Sequence, residues 1–316
     1  MNNLKIKKRI SKKTLALGRT IFFIAFGYAL VYPFLFLLSR SVMGIVDYYD
    51  PTVSWFPKSF HLENFIIAFR AMNFKSSFVV TVLYEIVAAL IQFCSCCVAA
   101  YGISRFNFKG KKILTAAMFL TILVPSAMII TPSYVNFSRM DFLGILGGIS
   151  KLTGKELRPN LIDTPLVFYL PSLLGVGLKG GFFVYIFSQF FKGLPKELEE
   201  AAWIDGAGPW KTFLSIVVPS SGAASVTVFL FSIVWHWNDF YLSGMYLDSK
   251  NTLSSALYLL GSIDVSQAGV DISITNAMTG YITAAACLVF IIPMIVLYVI
   301  IQRKFIASIA TSGIVG

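Results

Sequence analysis

Few side chains in this sequence have the type and spacing for covalent chemistry. Cys94, Cys96 and Cys97 form a Cys-Ser-Cys-Cys cluster, and Cys287 stands apart. Such a cluster could suit a soft metal, but no His lies near it and all four thiols fall within apolar runs. They read as buried, inert thiols, and no metal site is expected. Gly154-Lys155 runs into Glu156 rather than Ser or Thr, with no Gly at the P-loop spacing, so no nucleotide should bind this chain. A membrane-embedded enzyme would need His, Cys or acidic ligands clustered at helical spacing, and these are lacking. No catalytic residue is expected.

What remains is a set of polar groups inside apolar segments. Glu85 and Gln92 lie one heptad apart, and Lys179 stands in another apolar stretch. Trp235-His236-Trp237-Asn238-Asp239 combines indole faces with amide and carboxylate groups. Ionisable groups within a membrane default to functional candidates. These could contact a polar cargo such as a sugar, whose C–H face stacks on an aromatic ring and whose hydroxyls need partners. Polar contacts between helices are the competing reading. For the tryptophans, anchoring at the membrane interface competes as well. A proton-coupling role for His236 is a further, less favoured reading.

The elements that position these groups follow from composition. Of 316 residues, 57% are hydrophobic and 13% charged, with 29 Phe and a mean hydropathy of +0.76. Soluble domains are about 45–50% apolar and about 25% charged. This composition excludes a disordered chain, a small disulfide scaffold and an ordinary cytosolic enzyme. It predicts an all-α membrane protein, because backbone polar groups in lipid must be satisfied within each segment. A span needs about 20 mostly apolar residues. Six are expected: Ile21 to Ser39, Phe78 to Ile103, Ile113 to Val135, Val167 to Phe191, Ala223 to Leu247 and Tyr281 to Ile301. The fourth is interrupted by Pro171 and the cluster Gly175, Gly177, Gly180 and Gly181. The first run is longer than a signal-peptide core of about 7–15 residues and lacks a small-x-small cleavage site, so it reads as a retained helix.

The net charge of +11 does not indicate nucleic acid, because the basic residues sit in short clusters between apolar runs. Lys5, Lys7, Lys8, Arg9, Lys12, Lys13 and Arg19 precede the first span. Counted over the expected loops, 16 Lys/Arg fall on the side of both termini and 8 on the other. The positive-inside rule then places both termini in the cytoplasm. The organisation expected is a basic tail over 1–20, a first helix and external loop over 21–76, a core of five helices over 77–302, and a cytoplasmic tail over 303–316.

The most informative segment lies between the fourth and fifth spans, from Leu194 to Pro219. Pro195 opens a helix. Glu197, Glu199 and Glu200 follow in its first turns, where acidic groups suit the helix dipole. Ala201 and Ala202 provide a small face, Gly206 and Gly208 permit a sharp turn, and Pro209 starts a second helix that ends at Pro219. A rigid helix–turn–helix along the membrane surface is expected.

Here the chain resembles the permease subunits of ABC importers. Their signature is Glu-Ala-Ala, three residues, Gly, nine residues, Ile-x-Leu-Pro. The sequence has Glu200, Ala201, Ala202, Gly206, Ile216, Val218 and Pro219 at that spacing, with only Leu replaced by Val218. Asp205-Gly206-Ala207, Trp237-Asn238-Asp239-Phe240 and the stretch Ala100 to Gly110 are similar to the carbohydrate importers. Gln302-Arg303-Lys304-Phe305 with its small-residue tail is similar to their MalG-like subunits. The likeness runs from about Trp55 to Gly316. Departures include Ala223 where a second Pro is frequent, no Asn-Ser or Asn-Thr before the second span, Gly313-Ile314-Val315-Gly316 at the tail, and a longer loop at Lys151–Pro165.

The resemblance implies a MetI/MalG-like permease with six transmembrane helices and a cytoplasmic coupling helix. It implies an ATPase dimer that binds ATP and Mg, a second homologous permease, an extracytoplasmic solute-binding protein, a sugar substrate and a bacterial or archaeal cell membrane. Glu200, Ala201, Ala202, Asp205, Gly206, Ala207, Ile216 and Pro219 are the implied ATPase-coupling residues. Two readings stay open for Asp205, a lock on the turn or a contact to the ATPase, and two for Glu200, that contact or dipole stabilisation. The rival class is an ion-coupled secondary transporter, which usually carries a repeated half that this sequence lacks. Within the importer class, an amino acid, a peptide or a polysaccharide fragment is the alternative cargo.

Overall fold

A computed structural model describes the backbone of residues 2–141, 144–260 and 280–312, and their side chains except at 2–13, 126–127 and 304–312. The basic residues Lys5 to Lys13, Lys304, Phe305 and the end Gly313–Gly316 therefore lie outside the described side chains. The described chain is helical. In order the helices are α1 Asn2–Ser41, α2 Ile45–Tyr49, α3 Glu63–Ala71, α4 Phe74–Val80, α5 Val87–Arg105, α6 Lys111–Leu123, α7 Ser126–Ser138, α8 Ile145–Thr153, α9 Leu166–Leu173, α10 Gly180–Gly193, α11 Glu197–Ile204, α12 Pro209–Thr212, α13 Val218–Ser220, α14 Gly222–Trp237, α15 Tyr241–Tyr246, α16 Leu253–Leu259 and α17 Gly280–Ser312. Wider π turns, Thr81–Ile86 and Phe213–Val217, join α4 to α5 and α12 to α13.

Three stretches are long and apolar enough to cross a membrane: Thr14–Ser41, Phe74–Arg105 and Gly280–Arg303. The number rises to five if each of two bent pairs, Lys111–Leu123 with Met128–Ser138 and Pro209–Ser220 with Gly222–Trp237, is one span. The six expected spans are thus not six continuous helices. The third breaks at Pro125, which has no N–H for the α ladder. The fourth divides into α9 and α10, and the fifth ends at Trp237 before the short α15.

The chain divides into two compact units, Met1–Ala71 with Leu260–Ile291, and Met72–Leu259 with Ile292–Gly316. In the first, α1 exposes an apolar surface along its whole described length, including Phe22, Phe23 and Phe26. Only lipid or another protein chain gives such a face a favourable environment. Its C-terminal end is held locally. Asn64 donates to the carbonyls of Ser41 and Met43 at 2.9 Å each, and the Arg40 guanidinium lies 5.0 Å from the Phe36 ring and 5.2 Å from that of Tyr48.

In the second unit α5 is central, packed against α9, α10 and α14. Ala88, Gln92, Cys96 and Ala100 recur every fourth residue on its buried face. Phe183, Phe187 and Phe191 recur the same way on α10. A stripe of small residues lets a neighbouring helix approach closely, and the phenyl rings fill what that stripe leaves. Cys96 and Cys97 are buried in this core, whereas Cys94 is exposed. At 100° per residue one helix cannot turn all three thiols inward, so the expectation of buried cysteines fails at Cys94, and Cys287 is only half-buried. The glycines of the broken fourth span serve close approach. A Cβ on Gly177 would lie 2.6 Å from Gln92 Oε1, and one on Gly181 would lie 2.8 Å from the Met118 carbonyl oxygen.

Candidate functional site

Two sites occupy the second unit, an intramembrane cavity and the 194–219 segment. The cavity has a volume of about 680 Å³ and is walled by α6, α7, α9, α10, α14 and the π turn before α5. Its walls are mainly apolar, and Glu85, Lys179, Trp235, His236 and Asp239 are among the residues that line it. Glu85 is fully buried within the π turn, a widened geometry that recurs at functional positions. Its Oε2 lies 2.8 Å from His236 Nδ1, and its Oε1 has no hydrogen-bond partner among the described residues. His236 Nε2 lies 3.0 Å from Gln92 Oε1, so the ring bridges α14 to α5. Gln92 Nε2 donates to the Leu178 carbonyl at 2.6 Å and holds the break between α9 and α10.

That break places Lys179. Its φ is +61°, a left-handed conformation that costs an L-residue roughly 1 kcal/mol. The turn aims the side chain across the cavity wall, with Nζ 5.7 Å from the centre of the Trp235 ring. Asp239 is buried and accepts the backbone N–H of Leu242 at 3.1 Å and of Ser243 at 3.2 Å. These bonds cap α15, so the carboxylate has a structural task beside its place in the wall.

Of the seven pathway candidates, Glu85, Lys179, Trp235 and Asp239 line the cavity. Gln92 stands one residue behind it. Trp237 is not brought to the cavity, since it is buried on another face of α14 with its ring 6.2 Å from that of Phe78. Asn238 is exposed and donates to the Val234 carbonyl of its own helix. His236 is the contact that sequence reasoning undervalued. Its signal was an ionisable ring inside an apolar segment, in a run otherwise read for its tryptophans.

The 194–219 segment folds as a compact helix–turn–helix. The Gly206 N–H reaches the Trp203 carbonyl at 3.0 Å and the Ala207 N–H reaches the Ala202 carbonyl at 2.9 Å. This pair of bonds is the Schellman closure, and it needs a left-handed residue between them, which Gly206 supplies at φ +80°. The spacing of Ala202 and Gly206 is therefore that of one helix end. Asp205 does not lock the turn through its side chain, since its carboxylate is exposed and unpartnered among the described residues. The backbone alone closes it. Pro209 then starts α12, and the Val218 N–H bonds to the Phe213 carbonyl across the second π turn, just before Pro219. At Ser221 the axis swings by 82° into α14.

Glu200, Ala201, Asp205 and Gly206 are exposed, as is Pro219, while Ala202 is buried and Ala207 and Ile216 are half-buried. Around the exposed group stand Trp203, Ile204, Trp210 and Leu214, all exposed, with Ile204 at 87%. The inner face grips α5. Glu199 Oε1 lies 2.6 Å from Arg105 Nε, Tyr101 Oη donates to Glu199 Oε2 at 3.1 Å, and the Tyr101 and Phe213 rings are 4.8 Å apart. Arg105 and Tyr101 had been noted only as part of a stretch, and nothing in the spacing paired them with Glu199. Among the described residues no group of three His, Cys, Asp or Glu could hold a metal ion.

Residues 95–310 match the family described as Binding-protein-dependent transport system inner membrane component. The chain is 27% identical over 290 residues to the trehalose transport system permease protein SugB of Mycobacterium tuberculosis, covering 92% of this chain and 94% of that protein. It is 26% identical to the melibiose/raffinose/stachyose import permease protein MelC of Bacillus subtilis, covering 90% and 91%. In fold it is similar to a chain of a bacterial ABC transporter that imports the acidic polysaccharide alginate, with a TM-score of 0.71, 18% identity, and coverage of 93% and 98%.

Proposed function

Since the chain belongs to the binding-protein-dependent transport inner membrane component family, we propose that it is one transmembrane subunit of an ATP-driven sugar importer. It is non-catalytic, and ATP with Mg is bound and hydrolysed by a partner ATPase dimer. A second homologous permease and an extracytoplasmic solute-binding protein complete the assembly in a bacterial or archaeal cell membrane. The cargo is a sugar or short oligosaccharide, as the names of SugB and MelC suggest by similarity.

The observation that carries this reading is the two-faced 194–219 segment. One face is buried against α5 and the other presents Glu200, Trp203, Ile204 and Trp210 outward. Exposed apolar groups beside a carboxylate on a rigid turn suit a protein partner better than water. Glu200, Ala201, Asp205, Gly206 and Ala207 form the coupling surface, with Ala202, Ile216 and Pro219 shaping it. Movement of the ATPases then tilts the spans as packed bodies, the kind of switch that needs no bond making in this chain. The cavity bounded by Glu85, Lys179, Trp235 and Asp239, with Gln92 behind them, is this subunit's share of the pathway.

The test is uptake of labelled trehalose and raffinose-type oligosaccharides into proteoliposomes holding the co-purified complex and its binding protein. Uptake that requires ATP supports the reading. Uptake driven by an ion gradient without ATP, from a protein that purifies alone, overturns it in favour of a secondary transporter.

A further inference from the structure

Two helices of the cavity wall, α10 and α14, run along the chain into the 194–219 segment, one at each end. Whatever moves that segment moves them directly. The central helix α5 has no such covalent route, since it leads instead into the loop before α6. Yet α5 carries Gln92, and the π turn at its head carries Glu85.

Two side chains of α5, Arg105 and Tyr101, hold the segment, and the arginine reaches it at two points. Arg105 Nε lies 2.6 Å from Glu199 Oε1, and Arg105 Nη2 donates to the Leu194 carbonyl at 2.8 Å. The guanidinium thus holds the first residue of the segment and the helix α11 at once. A planar, always-charged fork does this where an ammonium would supply only a point charge. Both side chains are nearly inaccessible, at 8% and 5% exposure. A buried ion pair is a poor source of net stability, because desolvation offsets the attraction. What it contributes is a close tie: Nε and Oε1 are in ion contact at 2.6 Å without hydrogen-bond alignment, while Nη2 makes the aligned bond to the Leu194 carbonyl. Tyr101 supports the pair, its hydroxyl donating to Glu199 Oε2 at 3.1 Å and its ring lying 4.8 Å from that of Phe213.

We infer that the Arg105–Glu199 pair is the strut through which displacement of the coupling segment reaches α5, and through α5 the cavity. The inference rests on the importer reading above. Both are positioning residues, touching neither cargo nor nucleotide. The thirteen helical steps from Arg105 to Gln92 span about 20 Å. Along that length α5 is one unbroken α-helix, which lets it move as a rod. At its upper end Gln92 passes the motion to Leu178 and His236, which border the cavity.

The test uses the full complex in proteoliposomes. Spin labels on two exposed positions, Val98 of α5 and Leu198 of α11, report whether the two helices travel together. In the wild type their separation should stay constant between nucleotide-free and ATP-bound states. In Glu199→Gln it should change, while the ATPase still co-purifies at wild-type stoichiometry and basal ATP hydrolysis continues. Sugar taken up per ATP should then fall at least tenfold. Tyr101→Phe, which keeps the ion pair, should lose less than Glu199→Gln. A wild-type complex that hydrolyses ATP while the two labels separate would overturn the strut alone, as would unchanged uptake per ATP in assembled Glu199→Gln. A wild type that purifies with no ATPase would overturn the importer reading and the strut with it.

Discussion

Glu199 and Glu200 are chain neighbours with opposite surroundings: the first is buried against Arg105 at 2.6 Å, the second faces outward from α11. One helical turn thus divides the segment into a face packed on the rest of the chain and an exposed face. The same two residues would read as equivalent first-turn acids in any account based on the helix dipole alone.

The outward face should fail selectively. Ile204→Asp places a charge on a residue that is 87% exposed and has no packing to lose within the chain. Thermal stability of the permease should stay within about 0.5 kcal/mol of wild type. Co-purified ATPase, measured by densitometry of the tagged complex, should fall at least tenfold. Glu200→Gln should reduce it less.

Gly206 tests the turn itself. At φ +80° an Ala meets the left-handed penalty, roughly 1 kcal/mol, without any steric contact, since nothing lies within 4 Å of a Cβ there. Gly206→Ala should weaken ATPase retention several-fold, and Gly206→Asn should weaken it less, because Asn tolerates that conformation best among side chains. Equal losses for the two would indicate side-chain crowding at the partner surface instead.

Lys179 separates strain from function. Lys179→Gly removes both the left-handed strain and the cation, whereas Lys179→Ala removes only the cation. Sugar uptake should fall for both. The thermal midpoint of the detergent-solubilised complex should be higher for Gly than for Ala, by what about 1 kcal/mol confers.

Glu85 and His236 should behave as one unit. His236→Ala leaves the buried Glu85 carboxyl without its Oε2 partner, a loss of about 1–3 kcal/mol when a buried polar group is left without its hydrogen bond. Glu85→Gln with His236→Ala should cost clearly less than the two single losses added. Strict additivity in that thermal-denaturation cycle would mean that the two side chains do not interact.

Outside the membrane, the Arg158 side chain and backbone N–H hold the Glu156 carboxyl down from 4.5 to about 2. A depressed carboxylate contributes stability that is complete above its unfolded value and is lost as pH falls toward its folded one. The loop should therefore loosen between pH 4.5 and about 2. Hydrogen exchange over residues 154–160, corrected for intrinsic rates, should show that transition in the wild type and not in Glu156→Gln. Because both groups face solvent, the effect should be small and should shrink with added salt.

The sequence by itself determined whatever depends on residues close along the chain. Apolar runs marked the membrane segments, because lipid leaves a backbone no choice but internal hydrogen bonding. Ala202, Gly206 and Pro209 marked the turn between α11 and α12, because a Schellman closure and a helix start involve only neighbours. Only the tertiary structure decided which polar groups meet. His236 reaches Glu85 and Gln92 across about 150 positions, and Arg105 reaches Glu199 across 94, through helices whose rotation is set by packing. Trp235 and Trp237 show the same limit on a smaller scale. Two residues apart on α14, they point some 200° apart, so one lines the cavity and the other does not. Local pattern fixes that a helix forms. Which side of it faces the cavity depends on the small-residue stripe of α5, the rings of α10 and the break at Lys179, all brought together from distant parts of the chain.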